Sequence, residues 1–432
     1  MIIGLAYLGG LIVLLALGIH IATAIFATAL FNDAIGLNIL PNMIGSTMWT
    51  TMNEFLLIAI PLFILLGEIL TRSGVADRMY QALAAWLQWL PGGLLHTNIV
   101  TCALFAATSG SSVATSATVG TVALPTMQRL HYRERLVLGS IAAGGTLGIL
   151  IPPSINMVVY GALAEVSVGK LFAAGIIPGI LVTLIIMIII VILALLGKVT
   201  DNKTDKLIIP LLARLMLLVD IIPVVFIFTL VMGSIYLGFA TPTEAAALGV
   251  VGALAIAALN RTLTIAMLHE AFLSALKTTA MVLLVVVGAF VLNFSLSITG
   301  VPQALSEYVR DLALSKYATI WVLVLFYLIL GCFLEAIAMM VTTVGIVVPL
   351  IVSLGFDPLW FGIFMTMMME LALITPPVGL NLFVAQNIRL SKGNIADVYI
   401  GVLPFAAAMM IFVALLIYFP DLALWLPSKI FD

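Results

Sequence analysis

Charge is what this chain has least of. Only 8% of its 432 residues are Asp, Glu, Lys or Arg, against about a quarter in soluble domains. Hydrophobic residues make up 64%, which excludes a water-soluble fold and makes the bilayer the solvent. A formal net charge of -2 offers no basic surface for phosphates, so nucleic acid is excluded as a partner. Cysteine is scarce as well: Cys102 and Cys332 stand far apart in apolar runs, with no CxxC or Cys/His spacing for zinc, and read as packing residues. His20, His96, His131 and His269 lie near segment ends. No Ser/His/Asp grouping, HExxH, Walker loop or Rossmann-type GxGxxG is present, so neither an enzyme nor an ATPase is expected. The opening MIIGLAYLGG lacks a basic region and a small-residue cleavage site, and reads as a first membrane helix instead of a removed signal.

What is present is a succession of apolar segments, near 2–35, 54–71, 94–127, 136–164, 171–197, 217–238, 243–259, 277–299, 318–351, 359–388 and 397–419. A crossing of a hydrocarbon layer about 30 Å thick takes roughly 20 residues as helix. Segments 94–127 and 318–351 are too long for one crossing, and each is interrupted near its middle, by ATSGSSVATS and by GCFLEA. Each reads as a re-entrant helical hairpin. Two full crossings are the alternative, although the arms are short for that.

The segments repeat. Pro125 and Pro349 end the two candidate hairpins, and the pairs Pro152–Pro153 and Pro376–Pro377 follow at equal distance, so both landmarks are offset by 224. SGVADRMYQAL from Ser73 resembles TGVPQALSEYV from Thr299, and GIIPG from Gly175 matches GVLPF from Gly401, both at an offset of 226. Four landmarks in one order divide the chain into two homologous halves, 1–215 and 216–432. Each half holds a hairpin (about 94–127, 318–351) and a broken helix (136–164, 359–388).

Lys and Arg orient the halves, since short cytoplasmic loops are enriched in them. The loop with Arg129, Arg133 and Arg135 and the loop with Lys198, Lys203 and Lys206 are separated by two crossings and fall on one side, the cytoplasm. Arg261 and Lys277 return there, whereas SLGFDPLW after the second hairpin has no Lys or Arg. The first hairpin therefore opens inward and the second outward, an inverted-topology repeat of the kind common in secondary transporters. Arg310 and Lys316 on the outer side run against the rule, beside Glu307 and Asp311.

Broken helices mark sites, because non-helical chain at membrane depth persists only where it is buried or lines a cavity. The breaks lie in GGTLGILIPPSIN and ELALITPPVGLN, where a proline pair removes amide donors and disfavours helix before it. Freed carbonyls there can coordinate a cation, and the next half-helix offers its N-terminus to an anion. The hairpin tips add Ser109, Gly110, Ser111, Ser112 and Thr115 in the first, and Glu335, Thr342 and Thr343 in the second. Oxygen ligands of this kind suit hard cations such as sodium. The plainer alternative is that small residues let the hairpin arms pack closely. Among intramembrane carboxylates, Glu335 and Glu370 are the functional candidates; Glu54, Glu68, Glu165 and Glu244 read as helix-end anchors.

Five motifs, SGSSVATSATVG, GTLGILIPPS, SVGKLFAAGIIPG, ATPTEAAALG and ELALITPPVGLNLFV, together resemble the large DctM-like permease of tripartite ATP-independent periplasmic (TRAP) transporters across nearly the whole chain. The resemblance implies an all-α, multi-pass protein of the bacterial inner membrane that works as a sodium-driven elevator. It implies import of a carboxylate (a sialic acid, a C4-dicarboxylate or another organic acid) delivered by a periplasmic binding protein. A small four-helix membrane subunit is implied as well, expected as a separate chain. Sodium is implied near Ser109, Gly110, Ser111 and Ser112 with Gly145, Thr146, Gly148 and Pro152. A second sodium region is implied near Thr342, Thr343, Glu370, Thr375, Pro376 and Gly379. Substrate belongs between them, against Ser112, Thr115, Ser154, Asn156, Glu335 and Asn381. The tips differ, Glu335 among apolar residues against a serine cluster, so the two ion regions need not be equivalent. The rival reading is a stand-alone divalent-anion symporter of elevator type.

Overall fold

A computed structural model describes residues 9–11, 13–15, 17–35, 40–199 and 210–431, all of them helix, turn or loop. Lys203 and Lys206 lie outside the described residues.

The first apolar run is not one helix: a turn with Gly18 in the left-handed region precedes α1 (Ile21–Ile35). The polar stretch that followed it in the sequence is helical too, as α2 (Leu40–Met52). A 3-10 turn then leads into α3 (Ala59–Arg72), followed by α4 (Val75–Leu87). The two long segments each split in two, into α5 (Leu94–Ser109) with α6 (Ser112–Arg129), and later α15 (Lys316–Gly331) with α16 (Ala336–Ser353). α5 and α6, with 16 and 18 residues, run about 24 and 27 Å at 1.5 Å per residue, short of a comfortable crossing.

Both proline-pair segments are interrupted. α7 (Glu134–Thr146) tightens into a 3-10 turn at Leu147–Ile149, loses helical structure over 150–154, and resumes as α8 (Ile155–Ala164). After α16, α17 (Pro358–Ile374) stops, 375–379 is non-helical, and α18 (Leu380–Asn387) follows. The peptides Pro152–Pro153 and Pro376–Pro377 are cis.

Long helices frame these parts: α9 (Val168–Leu195), α11 (Ile222–Tyr236) with α10 (Leu211–Leu217) before it, α12 (Pro242–Leu259), α13 (Ile265–Ile298) and α19 (Ala396–Tyr418). The amphipathic α14 (Val301–Asp311) and the terminal α20 (Asp421–Phe431) complete the chain. Among the described residues, seven helices are long and apolar enough to cross a membrane. On α9, Ile180, Leu184, Ile188 and Ile192 are exposed at a spacing of four, the stripe of a helix facing hydrocarbon. Inside, α7 crosses α19 where Gly139 meets Gly401: a Cβ on either would collide with the backbone opposite, Gly401 or Arg135. The loop after α6 touches the loop after α9, the Arg133 amide donating to the Val199 carbonyl at 3.0 Å, so the two basic loops do lie together.

Candidate functional site

The first tip turns in two residues. Gly110 sits at φ +59°, the left-handed conformation that glycine adopts without cost, and Ser111 is extended and caps α6. The Ser109 and Thr115 hydroxyls are 2.8 Å apart, and Thr115 donates to the Ser111 carbonyl at 2.7 Å. This tip is clasped against the first break. A Cβ on Gly148 would lie 2.8 Å from the Ser111 carbonyl oxygen, one on Gly145 3.1 Å from that of Ser112, and one on Gly110 3.0 Å from that of Pro153. Within the break, Ser154 donates to the Ile149 carbonyl at 2.6 Å. Thr146 is buried and donates to Ala143 at 2.7 Å.

The second tip is built differently. Glu335 is the N-cap of α16, one carboxylate oxygen accepting the Ile337 and Ala338 amides at 3.1 and 3.3 Å. Cys332 reaches the facing break, its thiol donating to the Pro376 carbonyl at 3.3 Å. Thr342 and Thr343, expected at this tip, lie further along α16 instead. Their hydroxyls donate to Ala338 and Met339 of their own helix at 2.8 and 2.7 Å, and Tyr327 donates to Thr343 at 3.1 Å. A threonine inside a helix satisfies its hydroxyl on the preceding turn. Thr375 likewise donates to Leu371 at 2.6 Å, and Gly379 begins α18. Glu370 is fully buried and neither carboxylate oxygen has a hydrogen-bond partner among the described residues.

Between the tips lies a cavity of about 620 Å³. One wall is made of the tips and breaks: Ser109 to Ala114, Glu335 to Ile337, and Ile149, Asn156, Leu373 and Leu380 beside the breaks. The opposite wall comes from α1, α3 and α13, through Ile21, Gly67, Glu68, Thr278, Met281 and Val285. Of the residues expected to face substrate, Ser112, Asn156 and Glu335 line this cavity. Thr115, Ser154 and Asn381 do not: the first two serve the local turns, and Asn381 is buried, its amide donating to the Ala142 carbonyl at 3.1 Å. Glu68, read as a helix-end anchor, faces the cavity and pairs with Arg72 one turn along. Glu244 is such an anchor, closing a capping box with Thr241. Sequence alone gave no signal for Gly67 or Thr278, which belong to helices with no motif. Among the described residues no cluster of three His, Cys, Asp or Glu side chains forms a metal centre.

An all-helical membrane protein with a cavity enclosed between paired hairpin tips, interrupted helices and long framing helices is a transporter of the multi-pass type, not an enzyme. The chain belongs to the family described as tripartite ATP-independent periplasmic transporter, DctM component, whose model matches residues 8–422. It is 35% identical over 382 residues to the C4-dicarboxylate TRAP transporter large permease protein DctM of Pseudomonas aeruginosa, covering 88% of each chain. It is 32% identical to the isethionate TRAP transporter permease protein DctMQ of Oleidesulfovibrio alaskensis, over 95% of this chain and 64% of that one. Among solved structures it resembles the YdaH transporter of Alcanivorax borkumensis, with a TM-score of 0.61 at 15% identity, covering 90% of this chain and 89% of the other. The protein is thus a multi-pass bacterial inner-membrane secondary transporter subunit, the large permease of a TRAP system.

Proposed function

We propose that this permease imports an organic acid, delivered by a periplasmic binding protein, by symport with sodium and by an elevator movement. The observation that supports sodium coupling is the charge of the cavity: among the described residues its ionisable lining is Glu68, paired with Arg72, and Glu335, with no Lys, Arg or His in the lining itself. A carboxylate entering such a space, out of water, beside Glu335 and with no basic side chain in the lining, needs cations to travel with it. The first tip and break suit a hard cation in their donor set, since the carbonyl oxygens of Ser111 and Ser112 pack against Gly148 and Gly145 with the Ser109, Ser111 and Ser112 hydroxyls close by. In the second region, Glu370 is the donor without a partner, and a cation would satisfy it.

Two inverted halves supply the moving part, with both hairpins and both broken helices travelling against α1, α3 and α13. The cavity lies between those two groups, where an elevator carries its cargo. A small four-helix membrane subunit, taken to be a separate chain, would complete the fixed part. The test is uptake of radiolabelled C4-dicarboxylates, sialic acid and related acids into proteoliposomes, omitting in turn the sodium gradient, the binding protein and the small subunit. Uptake is expected to require all three. Uptake that persists without sodium sinks the coupling, and uptake by this chain alone favours the stand-alone symporter.

A further inference from the structure

We infer that Arg72, which does not itself line the transport cavity, sets that cavity's charge by neutralising Glu68, so that the wall of α3 and α13 faces the cargo as an uncharged surface. The inference rests on the cavity as the seat of a carboxylate, and deepens that reading by naming a positioning residue that decides the sign of the charge admitted.

α3 presents Ile64, Gly67 and Glu68 to the cavity, and Arg72 follows Glu68 by one turn, on the same face and away from the lining. This end of α3 is tied to the end of α12, where the Asn260 amide donates to the Ser73 carbonyl at 3.3 Å. The Arg72 guanidinium donates through Nη1 to the Glu68 carboxylate and, at 3.2 Å, to the Glu68 carbonyl. Nη2 donates to the Ser274 hydroxyl on α13 at 3.4 Å, and Nε lies 3.8 Å from the Glu270 carboxylate. The two acids are not equivalent. Glu270 is 70% exposed and its charge is screened by water, whereas the Glu68 and Arg72 side chains are only 21% and 25% exposed. The charge that Arg72 cancels is therefore the one that faces the cavity.

The placement has a consequence for the cargo. An uncovered Glu68 would repel an entering anion, and an arginine in the lining would hold it against α3. A neutral wall does neither, which leaves the anion to the tips and breaks on the opposite side.

The experiment reads the cavity's potential with charged thiol reagents. Thr278 lines the cavity one turn beyond Ser274, so Thr278→Cys in a Cys332→Ala background gives one accessible thiol, Cys102 being enclosed. Labelling rates of the purified protein are measured with an anionic and a cationic methanethiosulfonate of similar size. Arg72→Gln is expected to lower the anionic-to-cationic ratio at least fivefold, Glu68→Gln to raise it, and Arg72→Lys, which keeps the charge, to hold it. The double variant Arg72→Gln with Glu68→Gln should return the ratio to within twofold of the parent. A purely structural role would move both reagents together. An unchanged ratio in Arg72→Gln or Glu68→Gln, or a double variant that behaves like Arg72→Gln alone, overturns the inference. In the reconstituted system, uptake of radiolabelled succinate should fall at least fivefold in Arg72→Gln and recover in the double variant. A parent that takes up no organic acid sinks the proposed function, while the labelling ratio still decides what Arg72 does.

Discussion

Gly67 in the middle of α3 abuts Ser109 at the first hairpin tip with no side chain between them: a Cβ on Gly67 would lie 2.7 Å from the Ser109 carbonyl oxygen. If the tip slides past α3 during transport, this is a bearing surface, and backbone cannot yield as a flexible side chain can. Gly67→Val is expected to reduce uptake at least tenfold while leaving the protein inserted and monodisperse. Normal uptake by that variant would show that the two surfaces do not need their close approach.

The serine pair of the first tip gives a second prediction. Ser111→Ala with Ser112→Ala should raise the sodium concentration for half-maximal uptake severalfold. Loss of the Ser111 cap alone costs about 1 kcal/mol of local stability, so the fold survives. Sodium activation measured in proteoliposomes decides, and an unchanged half-saturation point removes those hydroxyls from ion binding.

Glu370 is the sharper case because its carboxylate has no hydrogen-bond partner among the described residues. Glu370→Gln keeps the shape and discards the charge. A weakened sodium activation, by tenfold or more, is the expected result. Sodium dependence equal to that of the parent would reduce Glu370 to a packing role.

The ion pairs that Arg389 makes with Glu134 and Asp397 predict stability instead of transport. Arg389→Ala removes one partner from each of Glu134 and Asp397, while Ser391 still serves Glu134 and Arg135 still holds Asp397, and should cost about 2 kcal/mol, the scale of a hydrogen bond to a charged group. Arg389→Lys should recover less than half of the loss, because an ammonium meeting the two carboxylates cannot also reach Ser391 and the Asn394 carbonyl, which Nε and Nη1 of the guanidinium contact. Melting in detergent measures both.

The parts of this molecule written by backbone chemistry were legible in its sequence. Proline pairs and Ser-Gly runs cannot sit in regular helix, and the interruptions at 110–111, 150–154 and 375–379 are where those residues fall. Helices lacking a continuous apolar run were harder: α2 and α14 are too polar or too amphipathic to register as membrane segments. Thr342 and Thr343 show a different limit. Their spacing put them near the tip, but nothing local tells whether a hydroxyl will face a ligand or its own helix. The wall of Gly67, Glu68 and Thr278 stayed hidden because it exists only once distant helices meet.

The contact between Cys332 and Pro376 provides a practical handle. Of the two cysteines in the chain, Cys102 is wholly enclosed and Cys332 half open, so a thiol reagent meets one reactive position without any engineering. That position lies at the joint between the second hairpin and its break. The rate at which a maleimide labels the unaltered protein is therefore a clock for how often the joint opens, readable with and without sodium.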